Sequence, residues 1–249
     1  MSRSELAAYL AASGLAGVVA TPVAACVENA HRMVGGDPDC TFGLSDWRSV
    51  DFDGVVSALE GCGVRLGDGE LPFVDLEVAA AAIERQRAMM DEWSAGRARV
   101  LVATGHTFAL LLHYRALAAR LRAAGCVVLE PLVGDQLHTP DGEPCSIRYF
   151  EGVGTLVVHG NLTHTHRPEY MEAMLAAAGQ VDGVIADHGF AGAAVEAGVP
   201  TLSIADVNDP ALPVAQARGR TEGVLVIDDG LVPATYKPLT AALVDGCRI

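Results

Sequence analysis

From Arg99 onward the chain repeats one unit: a short apolar run, one or two polar residues, then a segment of helix length. RVLVATGH, CVVLEPL, TLVVHG, VDGVIADHG, TLSIADVND and GVLVIDDG are the apolar runs. Residues 107–124 form an Ala/Leu-rich helical stretch stopped by Gly125. RPEYMEAMLAAAG is opened by Pro168, and FAGAAVEAG is closed by Gly198. Strands buried on both faces read as near-continuous apolar runs, and parallel neighbours need a crossover helix between them. The pattern therefore predicts an α/β fold, a three-layer, mostly parallel, Rossmann-like sheet with helices on both faces.

The first hundred residues are read differently. Residues 4–12, 26–34 and 76–93 carry helical apolar spacing, and LAGVVAT reads as a first strand. Neither a repeat, a low-complexity tract nor a linker interrupts the chain, so its 249 residues are read as one α/β domain. The alternative is that residues 1–98 make a helical cap packed on the sheet. Between the second and third apolar runs, the Pro/Gly/Asp-rich stretch 131–144 is too polar for core and reads as a functional loop or lid.

Composition narrows the partners. Apolar residues make up 51% and charged ones 19%, enough buried surface to offset chain entropy. A net charge of −14 with a single lysine, Lys237, argues against a nucleic-acid polymer or an anionic membrane surface. A small phosphorylated metabolite fits if a divalent metal ion supplies the local positive field. The apolar runs are too short to cross a bilayer. Six cysteines, Cys26, Cys40, Cys62, Cys126, Cys145 and Cys247, occur with no CxxC spacing and no signal peptide precedes them, which suits a reducing cytoplasm. Homo-oligomerisation stays open.

In open α/β sheets the ligand crevice lies outside the carboxyl ends of the strands. The residues that end the runs here are Gly105 and His106; His159 with Asn161, His164 and His166; Asp187 and His188; Asp206, Asn208 and Asp209; Asp228 and Asp229. A carboxylate there is costly to bury unless it has a task. Asp187 and Asp206 form the strongest pair, with helix capping as the ordinary alternative for each. Asp187, Asp206, Asp209 and His166 are candidate ligands of a divalent ion, Mg²⁺ or Mn²⁺ by the oxygens, Fe or Zn²⁺ if imidazoles join. His106, His164, Asp187 and His188 are the candidate catalytic residues. The HxH spacing of His164 and His166 puts both rings on one side of an extended loop, although a His-rich surface loop would look the same.

Substrate-binding candidates are Glu28, Asn29, Arg32, Gly105, Asn161 and Asn208. Gly105 opens a helix, where free backbone N–H groups can hold an anion. Arginine is the better bidentate partner for phosphate. For the segment with Glu28, Asn29, Arg32, Asp37 and Asp39, a solvated face plus a turn is the plain alternative. GxxxxGK[ST] is absent and no GxGxxG follows a strand, so kinase-like and NAD-dependent readings lose support. With no GxSxG elbow, metal-activated water is simpler chemistry than a serine nucleophile.

At ATGH, HGNLTHTH, VIADHGFAGAAVEAGVPTLSIADVNDPAL and TPVAACVENAHRMVGGDPDCTFGL, the chain resembles a family of bacterial phosphatases. Some relatives belong to pathways making nucleoside antibiotics. Its DHG-A-G and AD-ND signatures match at Asp187, His188, Gly189, Ala191 and Gly192, and at Asp206, Asn208 and Asp209. Upstream, Glu28-Asn29-Ala30 stands where an Asn-Asn pair is expected. The resemblance implies hydrolysis of a phosphate monoester of a small metabolite: a nucleotide, nucleoside or sugar phosphate. A more distant likeness, at fold level, is to metal-dependent damage-control phosphatases. The alternatives are a metal-dependent sugar-phosphate isomerase or lyase, or a non-catalytic phosphometabolite-binding protein.

Overall fold

The computed structural model describes residues 2–244. The helices are α1 (Arg3–Ser13), α2 (Val23–Val34), α3 (Pro38–Thr41), α4 (Phe52–Gly61), α5 (Leu76–Gly96), α6 (Thr107–Ala123), α7 (Glu169–Ala178), α8 (His188–Glu196), α9 (Ala211–Ala217) and α10 (Lys237–Val244). The strands are β1 (Gly17–Val18), β2 (Val64–Arg65), β3 (Phe73–Val74), β4 (Arg99–Thr104), β5 (Val127–Leu129), β6 (Leu137–His138), β7 (Pro144–Phe150), β8 (Val153–Val158), β9 (Asn161–Leu162), β10 (Gly183–Asp187), β11 (Thr201–Ala205) and β12 (Gly223–Val226).

Local chemistry sets several of these boundaries. Ser2 and Glu5 cap α1 reciprocally, and the Asp75 carboxylate accepts the Glu77 and Val78 N–H groups that open α5. Ala79, Ile83, Gln86, Met90 and Trp93 then bury one stripe of α5 at helical spacing.

Among the described residues nine strands form one mixed sheet in the order β12-β11-β10-β4-β8-β7-β6, with β5 also on β4 and β9 also on β8. The pairs β12/β11, β11/β10, β10/β4, β4/β5 and β4/β8 are parallel. Those of β8/β7, β7/β6 and β8/β9 are antiparallel. The parallel runs were legible, but the mixed orientation departs from a mostly parallel sheet. Its cause lies in the polar stretch 131–144: it holds β6 and the turn leading into β7, and β7 returns along β8.

LAGVVAT contributes only β1, which pairs antiparallel with β3 in a separate small sheet of order β1-β3-β2. A contiguous buried core runs from Leu6 to Leu243, and α5 lies against β12. Cys26, Cys40, Cys62, Cys126 and Cys145 are buried free thiols, while Cys247 lies outside the described residues. Among the described residues no helix is long and apolar enough to cross a membrane.

Candidate functional site

The register of β4 and β8 decides which residues meet. Thr104, the last residue of β4, pairs with Thr155, so β8 runs three residues further. The chain turns at His159 and Gly160, comes back as β9, and is tied to β4 where the Thr165 N–H donates to the Gly105 carbonyl at 3.1 Å. His164 and His166 are thereby delivered to the end of β4. His159 and Asn161 stay outside: His159 is exposed and pairs with Glu143 at 2.6 Å, and the Asn161 amide donates to the His159 carbonyl. This overshoot leaves His159, expected at the shared crevice, and Asn161, expected to bind substrate, outside the histidine cluster. Glu28 is exposed on α2 and also lies apart from the cluster.

Four histidines meet. The ring centroids of His166 and His188 are 4.6 Å apart and stacked; His106 and His164 are 4.8 Å apart, His164 and His166 4.8 Å, and His164 and His188 5.0 Å. His188 is the centre of the cluster and is 3% exposed. Its φ of 45° is left-handed, a conformation that costs an ordinary residue on the order of 1–3 kcal/mol. Strong contacts hold it: Nδ1 lies 2.8 Å from Asp187 Oδ1, and Nε2 lies 3.4 Å from Asp209 Oδ2 and 3.5 Å from Asp229 Oδ2.

Asp187, a candidate ligand, already has hydrogen-bond partners on both of its oxygens. Oδ1 accepts the Gly105 and His106 N–H groups at 2.7 and 3.1 Å besides facing His188, and Oδ2 accepts the Thr104 hydroxyl at 2.6 Å. With its lone pairs so engaged, this carboxylate orients the β4–α6 turn and the His188 ring. The turn needs glycine: a Cβ on Gly105 would fall 2.3 Å from the Thr165 carbonyl oxygen.

The other carboxylates are less satisfied. Asp206 takes the Thr21 hydroxyl on Oδ2 at 3.1 Å, but its Oδ1 is buried with no hydrogen-bond partner. Asp229 Oδ2 is likewise buried and unpartnered. His106 Nδ1 lies 3.3 Å from Asp229 Oδ1, near enough for attraction but without hydrogen-bond geometry. Asp229 was visible as a strand-end residue but was not among the named candidates; its signal was the second Asp of GVLVIDDG.

These groups shift one another's protonation. Burial alone would lower the His188 pKa, yet Asp209, Asp187 and Asp229 hold it up to about 10. Burial raises Asp209 to about 6 against the pull of His188, and raises Asp206 well above the carboxylate range with help from Asp229 and Asp209. Asp229 goes the other way, since His106 and His188 outweigh its burial. Burial and then its neighbouring imidazoles push His164 down to about 4 and His166 in the same direction. His166 Nδ1 lies 2.8 Å from the Asp39 carbonyl, an acceptor only, so Nδ1 carries the hydrogen and Nε2 keeps its lone pair.

Both raised groups give metal-free protein the same pH dependence. The folded pKa of His188, about 10, exceeds its ordinary 6.5, so its stabilisation is complete below about 6.5 and lost as pH rises through 10. For Asp209 the loss runs from 3.8 to about 6. Chelator-treated protein is expected to melt at progressively lower temperature between about pH 6 and about pH 10. A melting temperature that held steady or climbed over that window would contradict the cluster's electrostatics.

Beside the histidines lies a cleft of about 370 Å³ lined by Asn29, Arg32, Asp39, Cys40, His164, Thr165, His166 and Arg167. The Asn29 amide donates to the Asn208 carbonyl at 2.9 Å, joining α2 to the loop after β11. Asn29 and Arg32 thus line the cleft, with Asn208 held behind Asn29.

A family model described as Phosphatase matches residues 1–248. A protein named Phosphatase SCO2771, from Streptomyces coelicolor strain A3(2), is 36% identical over 254 residues, covering 97% of this chain and 95% of its own. No solved structure matches.

Proposed function

The chain belongs to the Phosphatase family, and on that footing we propose that it is a metal-dependent phosphatase releasing inorganic phosphate from a monoester of a small metabolite. The observation that carries metal dependence is the donor set around His188. Two donors on one tetrahedral ion, each about 2.1 Å from it, stand about 3.4 Å apart. His188 Nε2 stands at 3.4 and 3.5 Å from Asp209 Oδ2 and Asp229 Oδ2, and the latter oxygen is buried with no other partner. We assign His188 and Asp229 as ligands, a pair whose ligand atoms lie within 4.8 Å of each other and of a His106 ring nitrogen, while Asp209 and the unpartnered Asp206 Oδ1 stand by as nearby carboxylates. A nitrogen among carboxylates suits Zn²⁺, Fe²⁺ or Mn²⁺ better than Mg²⁺. Asp187, bound to Nδ1, completes a carboxylate–histidine–metal arrangement as a positioning residue.

A bound divalent ion supplies an activated water and neutralises charge on the phosphoryl oxygens. The chain's own residues do the rest. His164, neutral at physiological pH, offers a lone pair to a proton or a hydrogen-bond donor. Burial would lower the His106 pKa, but Asp229 raises it above the ordinary imidazole value, which fits a proton donor to the leaving oxygen. His166 Nε2 faces the cluster as a further donor toward metal or a contact to phosphate. Asn29 and Arg32 border the substrate, with Asn208 behind Asn29. The same reading takes the chain as one three-layer, Rossmann-like α/β domain of the cytoplasm, where the free thiols stay reduced.

The test is phosphate release over a panel of nucleotides, nucleoside monophosphates and sugar phosphates. Turnover is expected to vanish with chelator and return with Zn²⁺, Mn²⁺ or Fe²⁺. Chelator-resistant release would remove the metal from the mechanism. Conversion without phosphate release would favour an isomerase or lyase, and binding without conversion a non-catalytic protein.

A further inference from the structure

We propose that Arg32 and Arg167 form a second anion subsite at the mouth of the cleft. The substrate would then carry a phosphate or carboxylate in addition to the phosphate that is cleaved. This rests on the phosphatase reading of the histidine cluster and names the class of substrate that it takes.

The cleft and the cluster share His164 and His166, but none of His188, Asp209, Asp229 or Asp206 lines the cleft. His166 stands between the two, stacked on His188 at 4.6 Å and fixed at Nδ1 by the Asp39 carbonyl. The arginines therefore lie beyond an imidazole ring from the place where the cleaved phosphate must sit.

Each guanidinium is braced at its inner edge. Arg32 Nε binds Asp37 Oδ2 at 2.9 Å, and Arg167 Nε binds Glu169 Oε1 at 3.0 Å. Arg32 Nη1 also reaches Asn29 Oδ1 at 3.3 Å. Bracing through Nε fixes the plane of the guanidinium while terminal N–H groups stay available for a bidentate anion. In a chain of net charge −14, two arginines share one cleft with two histidines and Asp39, so an anion there is held by directed guanidinium N–H groups rather than by a net positive field.

Volume agrees. At about 30 Å³ per water, a cleft of about 370 Å³ has room for about a dozen waters, more than one phosphate group needs. A compact metabolite with two anionic ends fills such a space.

The experiment uses matched pairs: fructose 6-phosphate against fructose 1,6-bisphosphate, and glycerol 3-phosphate against 3-phosphoglycerate. The metal-loaded protein is expected to prefer the doubly anionic member of at least one pair by about tenfold or more in kcat/KM. In the Arg32→Gln/Arg167→Gln double variant that ratio is expected to fall toward one, mainly through KM. Equal loss on both members would mean that the arginines hold the cleaved phosphate, and no preference in the parent protein would mean that there is no subsite; either overturns the proposal. If no compound releases phosphate, the phosphatase reading fails separately. Calorimetric binding of the same pairs to parent and double variant then decides the subsite: a preference lost with the arginines sustains it, and equal affinities overturn it.

Discussion

Asp229→Asn is expected to reduce phosphate release by about 10³-fold or more and to lower the bound metal. The substitution keeps the shape of the side chain but removes a negative ligand whose Oδ2 has no other partner and lies 3.5 Å from His188 Nε2. Losing several kcal/mol of charge stabilisation at the phosphoryl group corresponds to a factor of that size, at about 1.4 kcal/mol for each tenfold. Asp187→Asn is the informative comparison. It leaves His188 and Asp229 in place but weakens the anchor of the His188 ring, where losses of about 10- to 100-fold are typical. Its Nδ2 would also face donors that now meet a carboxylate: Thr104, Gly105, His106 and His188. Metal content and kcat/KM measured together separate the two roles. Equal metal content and near-normal turnover in Asp229→Asn would show that the ion, if any, is held elsewhere.

Gly189→Ala is expected to cost about 3 kcal/mol or more of stability and most of the activity. Gly189 lies in the first turn of α8, directly under the returning loop. A Cβ there would fall 2.1 Å from the His166 carbonyl oxygen and 2.4 Å from the Arg167 carbonyl carbon. These are backbone atoms, so no rotamer change relieves the clash. Either α8 tilts and displaces His188, or the loop lifts and takes His164 and His166 with it. Against a total stability on the order of 5–15 kcal/mol the change is large. Urea unfolding gives the energy, and metal content of the surviving folded fraction reports the cluster. A variant with unchanged midpoint and activity would mean that the loop does not press on α8 in solution.

How much could be read from residues alone follows from these contacts. The parallel body was legible because its strands are continuous apolar runs, most of them followed within two residues by Asp, His or Gly. Helix α8 was legible too, since Gly198 closes it. β7 was not: PCSIRYF alternates buried and exposed positions and follows a polar stretch that masked it. The strand-end histidines of one run were treated alike because spacing does not disclose that β8 overshoots β4. His164 and His166 reach the site while His159 and Asn161 remain outside, a difference that lies in register. Asp187 and Asp206 were chosen together as buried strand-end acids. Only the contacts separate them: every oxygen of Asp187 meets donors, whereas one oxygen of Asp206 meets none. Arg167 was not singled out, because only the cleft that the returning loop builds against α2 and α3 brings it beside Arg32.

The β6–β7 hairpin has a practical corollary. Its turn closes through the Gly142 N–H to the Thr139 carbonyl and the Thr139 N–H to the Glu143 carbonyl, and residues 140–144 are exposed around it. Beneath lies a groove whose lining includes Gly134, Cys145, Arg148 and His159, and none of the clustered histidines or carboxylates. The chain can therefore be lengthened here, or cut and rejoined through new termini, without threading anything past the clustered histidines and carboxylates. An epitope, a fluorophore or a whole guest domain grafted between Thr139 and Glu143 would ride on the outer margin of the sheet, making this turn the natural handle for immobilising or labelling the working protein.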